Sequence, residues 1–163
     1  MYAQSIPFLD HNLKALSGVL TKAAAHCEAK KIDPAVLTGY RLYPDMFPFI
    51  RQVQIVCDFA KGCGARLAGI EVPSYADTEV TFADLQARID KTRAFLATLK
   101  PAQFDGAATR EIVLKLRGET MELSGNDYLF GFVLPNFYFH MTTAYNILRH
   151  NGVELGKTDF IGR

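Results

Sequence analysis

Leu134-Pro135-Asn136-Phe137-Tyr138-Phe139-His140-Met141-Thr142-Thr143-Ala144-Tyr145-Asn146-Ile147-Leu148-Arg149-His150 decides how this 163-residue chain is read. The stretch predicts a long final helix, started by Pro135 and stopped by Gly152. Ser124-Gly125-Asn126-Asp127 caps a helical entry that leads through Tyr128, Leu129, Phe132 and Val133 into it, and Pro135, which lacks an amide proton, either kinks one helix there or starts a second after that brief lead-in. At about 100° per residue, Asn136, His140, Thr143 and Ile147 fall within about 60° of one another, bordered by Phe137 and Ala144. Tyr138, Thr142, Tyr145 and Arg149 take the opposite side. A small polar cluster therefore lies on an apolar face. A histidine and an asparagine aimed into a core need partners, because an unpaired buried polar group is expensive.

Other helices must supply those partners. Ile6, Leu9, Leu13, Leu16, Leu20, Ala23 and Cys27 recur at spacings of three and four, predicting a first helix from about Ser5 to Cys27. His11 and His26 lie off that stripe and are expected to be exposed. Asp33-Pro34, Gly39 and Pro44 then punctuate a long connection, with a helical turn near Ala35 to Leu37. Tyr40, Arg41, Tyr43, Met46 and Phe47 make it too apolar for a free linker, so it is expected to cross one end of the bundle.

A second helix begins around Asp45 to Pro48 and runs to about Ala68, stopped by Gly69. Phe49, Val53, Val56, Ala60, Cys63 and Leu67 form its core stripe, and Gln52 projects close to that arc. Arg51, Gln54, Asp58 and Lys61 are expected to form a solvated polar face. Gly62 and Gly64 suit the close approach of a neighbour. Thr81-Phe82-Ala83-Asp84 reads as a capping box with aspartate in place of glutamate, opening a third helix to about Leu99. From Arg110 to Leu116 the period changes to alternation, with Ile112, Leu114 and Leu116 inward, and Gly118 precedes Thr120-Met121-Glu122-Leu123. That is a short β-hairpin. Phe160-Ile161 near the end predicts a tail docked on the body.

Composition restricts the function. Apolar residues make up 49% and charged residues 21%, which suits one folded domain over residues 1–163. Eighteen basic and 17 acidic residues give a net charge of +1, with no clustered positive surface for nucleic acid. Met1 to Pro7 lacks the pattern of a signal peptide, and no apolar run is long enough to span a membrane. Cys27, Cys57 and Cys63, an odd number without paired spacing, suit a reducing cytoplasm as small core residues. There is no P-loop, no Gly-x-Ser-x-Gly elbow and no Glu-x-x-His motif of a di-iron bundle. Asn136 and His140 have the i, i+4 spacing of two ligands on one helix, but an amide oxygen is a poor zinc ligand beside imidazole.

Pro44-Asp45-Met46-Phe47-Pro48, Arg51-Gln52-Val53-Gln54, Leu134-Pro135-Asn136-Phe137-Tyr138-Phe139-His140 and Leu148-Arg149-His150-Asn151-Gly152 together resemble a family of bacterial proteins of unknown function in the DinB/YfiT-like superfamily. The resemblance covers nearly the whole chain. It implies an all-α, DinB-like four-helix bundle, here with the small hairpin between the third and fourth main helices, and commonly a homodimer. It also implies three histidines around a divalent ion, two of them a His-x-x-x-His pair on the last helix. Asn136 and His140 occupy the matching positions, and the second helix offers Gln52 or Gln54 where the third histidine is expected. Gln52 is preferred for its inward angle.

The reading that follows is a cytoplasmic DinB-like protein with a modified, metal-free pocket that binds a small molecule around His140, Asn136, Gln52, Gln54 and Thr143. His140 is the hydrogen-bonding or proton-transfer group. No cofactor is expected. The first alternative is a zinc- or nickel-dependent transferase or hydrolase with His140 as metal ligand. The second is a dimeric bundle in which the polar cluster only orders the core.

Overall fold

The protein was analysed as a computed structural model that describes residues 1–116 and 118–163. Four long helices carry the architecture: α1 (Tyr2–Lys30), α3 (Phe49–Ala68), α4 (Phe82–Thr98) and α6 (Leu134–His150). The short α2 (Pro34–Thr38) lies in the first connection, and α7 (Lys157–Ile161) closes the described chain. Between α4 and α6, strands β1 (Glu111–Leu116) and β2 (Glu119–Ser124) pair antiparallel, with Glu111 opposite Ser124 and Leu116 opposite Glu119. A single turn, α5 (Gly125–Asp127), follows.

Local chemistry sets these boundaries. α1 extends three residues beyond the expected helix at each end, and Lys31 stops it in the left-handed region at φ 56°. The Lys31 N–H turns back to the Cys27 and Glu28 carbonyls, meeting acceptors that a helix end leaves open. The Thr81 hydroxyl accepts from Asp84 N at 3.1 Å, while the Asp84 carboxylate accepts from Thr81 N at 2.8 Å. Those two bonds complete the capping box read from the sequence.

α3 packs on α6 and α4, and α4 packs on α1. Leu13, Leu16, Leu20, Phe49, Val53, Leu67, Leu85, Ile89, Phe137 and Ile147 fill the centre. Gly64 lets α4 come close: a Cβ there would sit 2.7 Å from Leu99 Cδ1 and 2.9 Å from Leu96 Cδ2. In the hairpin Ile112 and Leu114 are buried and Val113 is exposed, the expected alternation. The side chain of Leu116, expected inward, lies outside the described residues. Phe160 packs against the core, edge-on to Tyr145, although its neighbour Ile161 is exposed. Among the described residues, no helix is long and apolar enough to cross a membrane.

The expected lead-in to the last helix is present, capped by the Ser124 hydroxyl, which accepts from Asp127 N at 3.1 Å. What the sequence did not predict is the form of the join at Pro135. The chain is already helical from Gly125 and passes through a wide π-turn, Tyr128–Val133, into α6. Leu134 N–H reaches back five residues to the Leu129 carbonyl. The donor that Pro135 lacks thus falls where the ordinary i to i−4 ladder is already interrupted.

Candidate functional site

The polar face of α6 meets α3 at His140. Its Nδ1 lies 2.7 Å from Gln52 Oε1, and Gln52 Nε2 donates to the Phe47 carbonyl at 3.0 Å. The second bond fixes the first. A carbonyl can only accept, so the Gln52 amide must turn its NH2 to Phe47 and its oxygen to the imidazole. The imidazole must then carry its proton on Nδ1, leaving the Nε2 lone pair open. Among the described residues Nε2 has no hydrogen-bond partner. Gln52 is 1% exposed and His140 half-buried, so the lock sits inside and the free edge faces outward.

Burial, with a smaller contribution from the Arg51 charge, lowers the His140 pKa below the usual imidazole value. The ring is therefore neutral at neutral pH. Phenylalanines surround it. Phe59 stacks on it at 6.1 Å and 20°, Phe139 meets it edge-on at 5.1 Å, and Phe132 lies 5.7 Å from Phe59. Phe139 and Phe47 are largely exposed. A groove of about 490 Å³ between α1 and α4 lies elsewhere, and His140 does not line it.

The other predicted site residues are placed differently. Asn136 stays on the same face but donates its amide to the Phe132 carbonyl at 2.7 Å, inside the π-turn. The Thr143 hydroxyl donates to its own helix, at Phe139 O, 2.7 Å away. Gln54 is not brought to His140. It donates to Glu79 at 2.8 Å and accepts from Arg51 at 3.2 Å, on another side of α3. Two residues along a helix turn the side chain by about 200°, which is why Gln52 and Gln54 part company.

Gln54 belongs to a charged cluster that corrects the expected solvated face. Gln54 and Lys61 are buried, and the segment before α4 covers the stripe. At its centre is Arg88 of α4, whose side chain is 1% exposed and bonds Asp58 at 2.8 Å, Glu79 at 3.0 Å and Asp77 at 3.1 Å. Lys61 reaches Asp58 at 2.7 Å and lies over the Tyr75 ring. Burial works against the Arg88 charge, but the Glu79 hydrogen bond and the Asp58 and Glu79 carboxylates outweigh it and raise its pKa. The buried Arg88 Nε has no partner among the described residues. The signal for this cluster was present in the sequence. Arg88 stands three residues after Leu85 and one before Ile89, on the inward arc, with Asp77 and Glu79 just upstream.

Two other groups have defined chemistry. Burial pushes the Cys57 and Cys63 thiols up to about 12, so both are inert core residues at neutral pH. The divalent ion implied by the resemblance does not fit the donors present. One imidazole stands with two neutral amides, both with their NH2 groups committed to backbone carbonyls. Zinc and nickel favour imidazole, thiolate or carboxylate. Among the described residues, no three His, Cys, Asp or Glu side chains gather around one point.

Comparison with known proteins gives the chain its relatives. The family described as a domain of unknown function (DUF1993) matches residues 1–161. A crystal structure of a DinB family member protein from Shewanella denitrificans is 42% identical, with a TM-score of 0.93 over 99% of this chain and 92% of that one. Among curated proteins there is no significant match. The helical bundle, the interposed hairpin and these two matches agree: the chain belongs to the DUF1993 family, within the DinB-like superfamily.

Proposed function

We propose that this chain is a cytoplasmic DinB-like protein, one domain and a homodimer, whose His140 site takes a small molecule without a metal ion. The observation that carries the reading is the Gln52 lock, with Gln52 Oε1 2.7 Å from His140 Nδ1. It leaves one oriented, neutral Nε2 lone pair at a half-buried position beside phenylalanine rings. Such a nitrogen accepts a hydrogen bond from a ligand, or takes a proton from it. The net charge of +1 supports a partner that is not nucleic acid. A zinc- or nickel-dependent transferase or hydrolase would need donors that Asn136 and Gln52 do not supply.

A second reading is favoured by the same bonds. Gln52 ties α3 to both α6 and the Phe47 backbone, which suits a purely structural clamp. Two measurements separate these readings. Elemental analysis of protein purified without chelator is expected to find neither zinc nor nickel at one equivalent. Stoichiometric metal, lost in His140→Ala, would establish the rival. A thermal-shift panel of phenol, cyclohexanol, 1-butanol and acetamide is expected to contain at least one compound that raises Tm in wild type and not in His140→Ala. If none does, and the variant is merely less stable, the clamp is the whole role.

A further inference from the structure

The segment 70–80, between α3 and α4, is held to the bundle by polar side chains rather than by core packing. None of its residues is buried, and its half-buried Val72 and Tyr75 stand outside the hydrophobic core. Among the described residues, Glu71 to Glu79 make no backbone–backbone hydrogen bond. Charged and polar contacts do the holding. Asp77 pairs with Arg51 and Arg88, and Glu79 accepts from Arg88 at 3.0 Å and from Gln54 at 2.8 Å. The Ala76 carbonyl accepts from Arg88 at 3.1 Å, and the Lys61 and Lys91 ammonium groups lie 4.1 and 4.2 Å from the Tyr75 ring centre. A cavity of about 310 Å³ already opens between the segment and α4, bordered by Tyr75, Glu79, Arg88 and Lys91.

What lies beneath is fully covered. The Arg88 side chain is 1% exposed, and Cys57 and Thr92 are buried. Cys57 precedes Lys61 by four residues, a turn of about 40° on α3, and Thr92 follows Arg88 by the same step on α4. Both bear on the Tyr75 hydroxyl, whose pKa burial raises, so the thiol sits beside Tyr75.

We infer that segment 70–80 is a strap latched by the Asp77 and Glu79 carboxylates, and that loss of their charge releases it and uncovers Cys57 while the helical core stays folded. α3 and α4 pack directly on each other, and no residue of the strap belongs to the core cluster. Release returns the Arg88 guanidinium to water, so its charge is not stranded, and Asp58 keeps Lys61 and Arg88 as partners. Such local opening needs less free energy than global unfolding. The charged groups around Glu79 are Arg51, Asp58 and Lys61 of α3, Asp84, Arg88 and Lys91 of α4, and Asp77 of its own segment. Burial alone would raise the Glu79 pKa, but hydrogen bonds from Arg88 and Gln54 hold it below the usual carboxylate value. The latch is therefore complete above that usual value and is lost as pH falls through the lower value of the closed strap.

The three cysteines, all buried, report where the protein opens. Labelling with 4,4′-dithiodipyridine, which stays reactive in acid, is read at each cysteine by mass spectrometry. Each rate is taken relative to the same cysteine in urea-unfolded protein at that pH. In Asp77→Asn/Glu79→Gln at neutral pH, Cys57 is expected to label at least tenfold faster than in wild type, with Cys27 and Cys63 unchanged. Wild type, acidified from neutrality to below about pH 4, is expected to expose Cys57 at a higher pH than the other two. The acid series uses the unaltered protein, so it stands even if the double variant folds poorly. A folded double variant whose Cys57 stays as protected as in wild type would overturn the latch. Simultaneous exposure of all three cysteines in acid would overturn the strap as a separate unit, because the bundle would then open as a whole.

Discussion

Two sides of α3 handle buried polarity in opposite ways. On one, Gln52 and His140 form a neutral pair in a phenylalanine surround, and a single lone pair is left over. On the other, Arg51, Gln54, Asp58 and Lys61 join Arg88, Asp77 and Glu79 in a charged cluster. There one atom, Arg88 Nε, goes without a partner among the described residues. The charged side is almost saturated, because an unpaired buried charge is costly. The neutral side tolerates an open acceptor at a half-buried edge, where a ligand can use it. The difference separates holding the bundle together from offering chemistry.

The strongest way to break this contrast is Arg88→Ala. It would leave Asp58, Asp77 and Glu79 without their shared cation, and breaking a buried pair costs about 3–5 kcal/mol. Urea denaturation should show a loss of that order with His140 unchanged in its NMR signals. A loss below about 1 kcal/mol would mean that the cluster behaves as an ordinary solvated surface.

The same cluster gives a pH dependence. Burial alone would raise the Glu79 pKa, but hydrogen bonds from Arg88 and Gln54 prevail and hold it below the usual carboxylate value. A depressed folded-state pKa contributes stability above the unfolded value, and that stability is lost as pH falls through the folded value. The stability gap between wild type and Glu79→Gln should be widest near neutrality. It should close as the solution is acidified below about pH 4, the ordinary range for glutamate. A gap that stays constant with pH would remove Glu79 from the charge balance.

Gln52→Ala sharpens the neutral side. It strands the Nδ1–H of His140 and the Phe47 carbonyl, at a cost of about 1–3 kcal/mol. The ¹⁵N spectrum should change from one tautomer with the proton on Nδ1 to a mixture. Gln52→Glu keeps an acceptor but adds negative charge, so the His140 pKa should rise. A single unchanged tautomer in Gln52→Ala would mean that something else orients the ring.

Much of the bundle was legible because stripes such as Leu9, Leu13, Leu16 and Leu20 repeat at the helical period. Gln52 was legible for the same reason, since its angle set it beside the apolar arc. The Arg51 to Lys61 face was misread because periodicity places polar residues opposite one core without revealing a second covering layer. Here the covering comes from Tyr75, Asp77 and Glu79 in an irregular segment with no period to read. At the last helix the Ser124 cap and the lead-in were legible, but a proline predicts a missing donor and not the π-turn that absorbs it.

The smallest expected effect tests whether Asn136 belongs to the site or to that turn. Its amide donates to Phe132 O, four residues back, so it acts on the backbone of the π-turn rather than on His140. Removing one such bond costs about 0.5–1.5 kcal/mol. Alanine recovers up to about 0.7 kcal/mol through its higher helix propensity. Asn136→Ala should therefore change stability by less than about 1 kcal/mol. The His140 tautomer and its response to whichever compound of the thermal-shift panel binds should be untouched. If that binding instead falls tenfold, Asn136 contacts the ligand, and the polar face of α6 works as a pair of residues rather than through His140 alone.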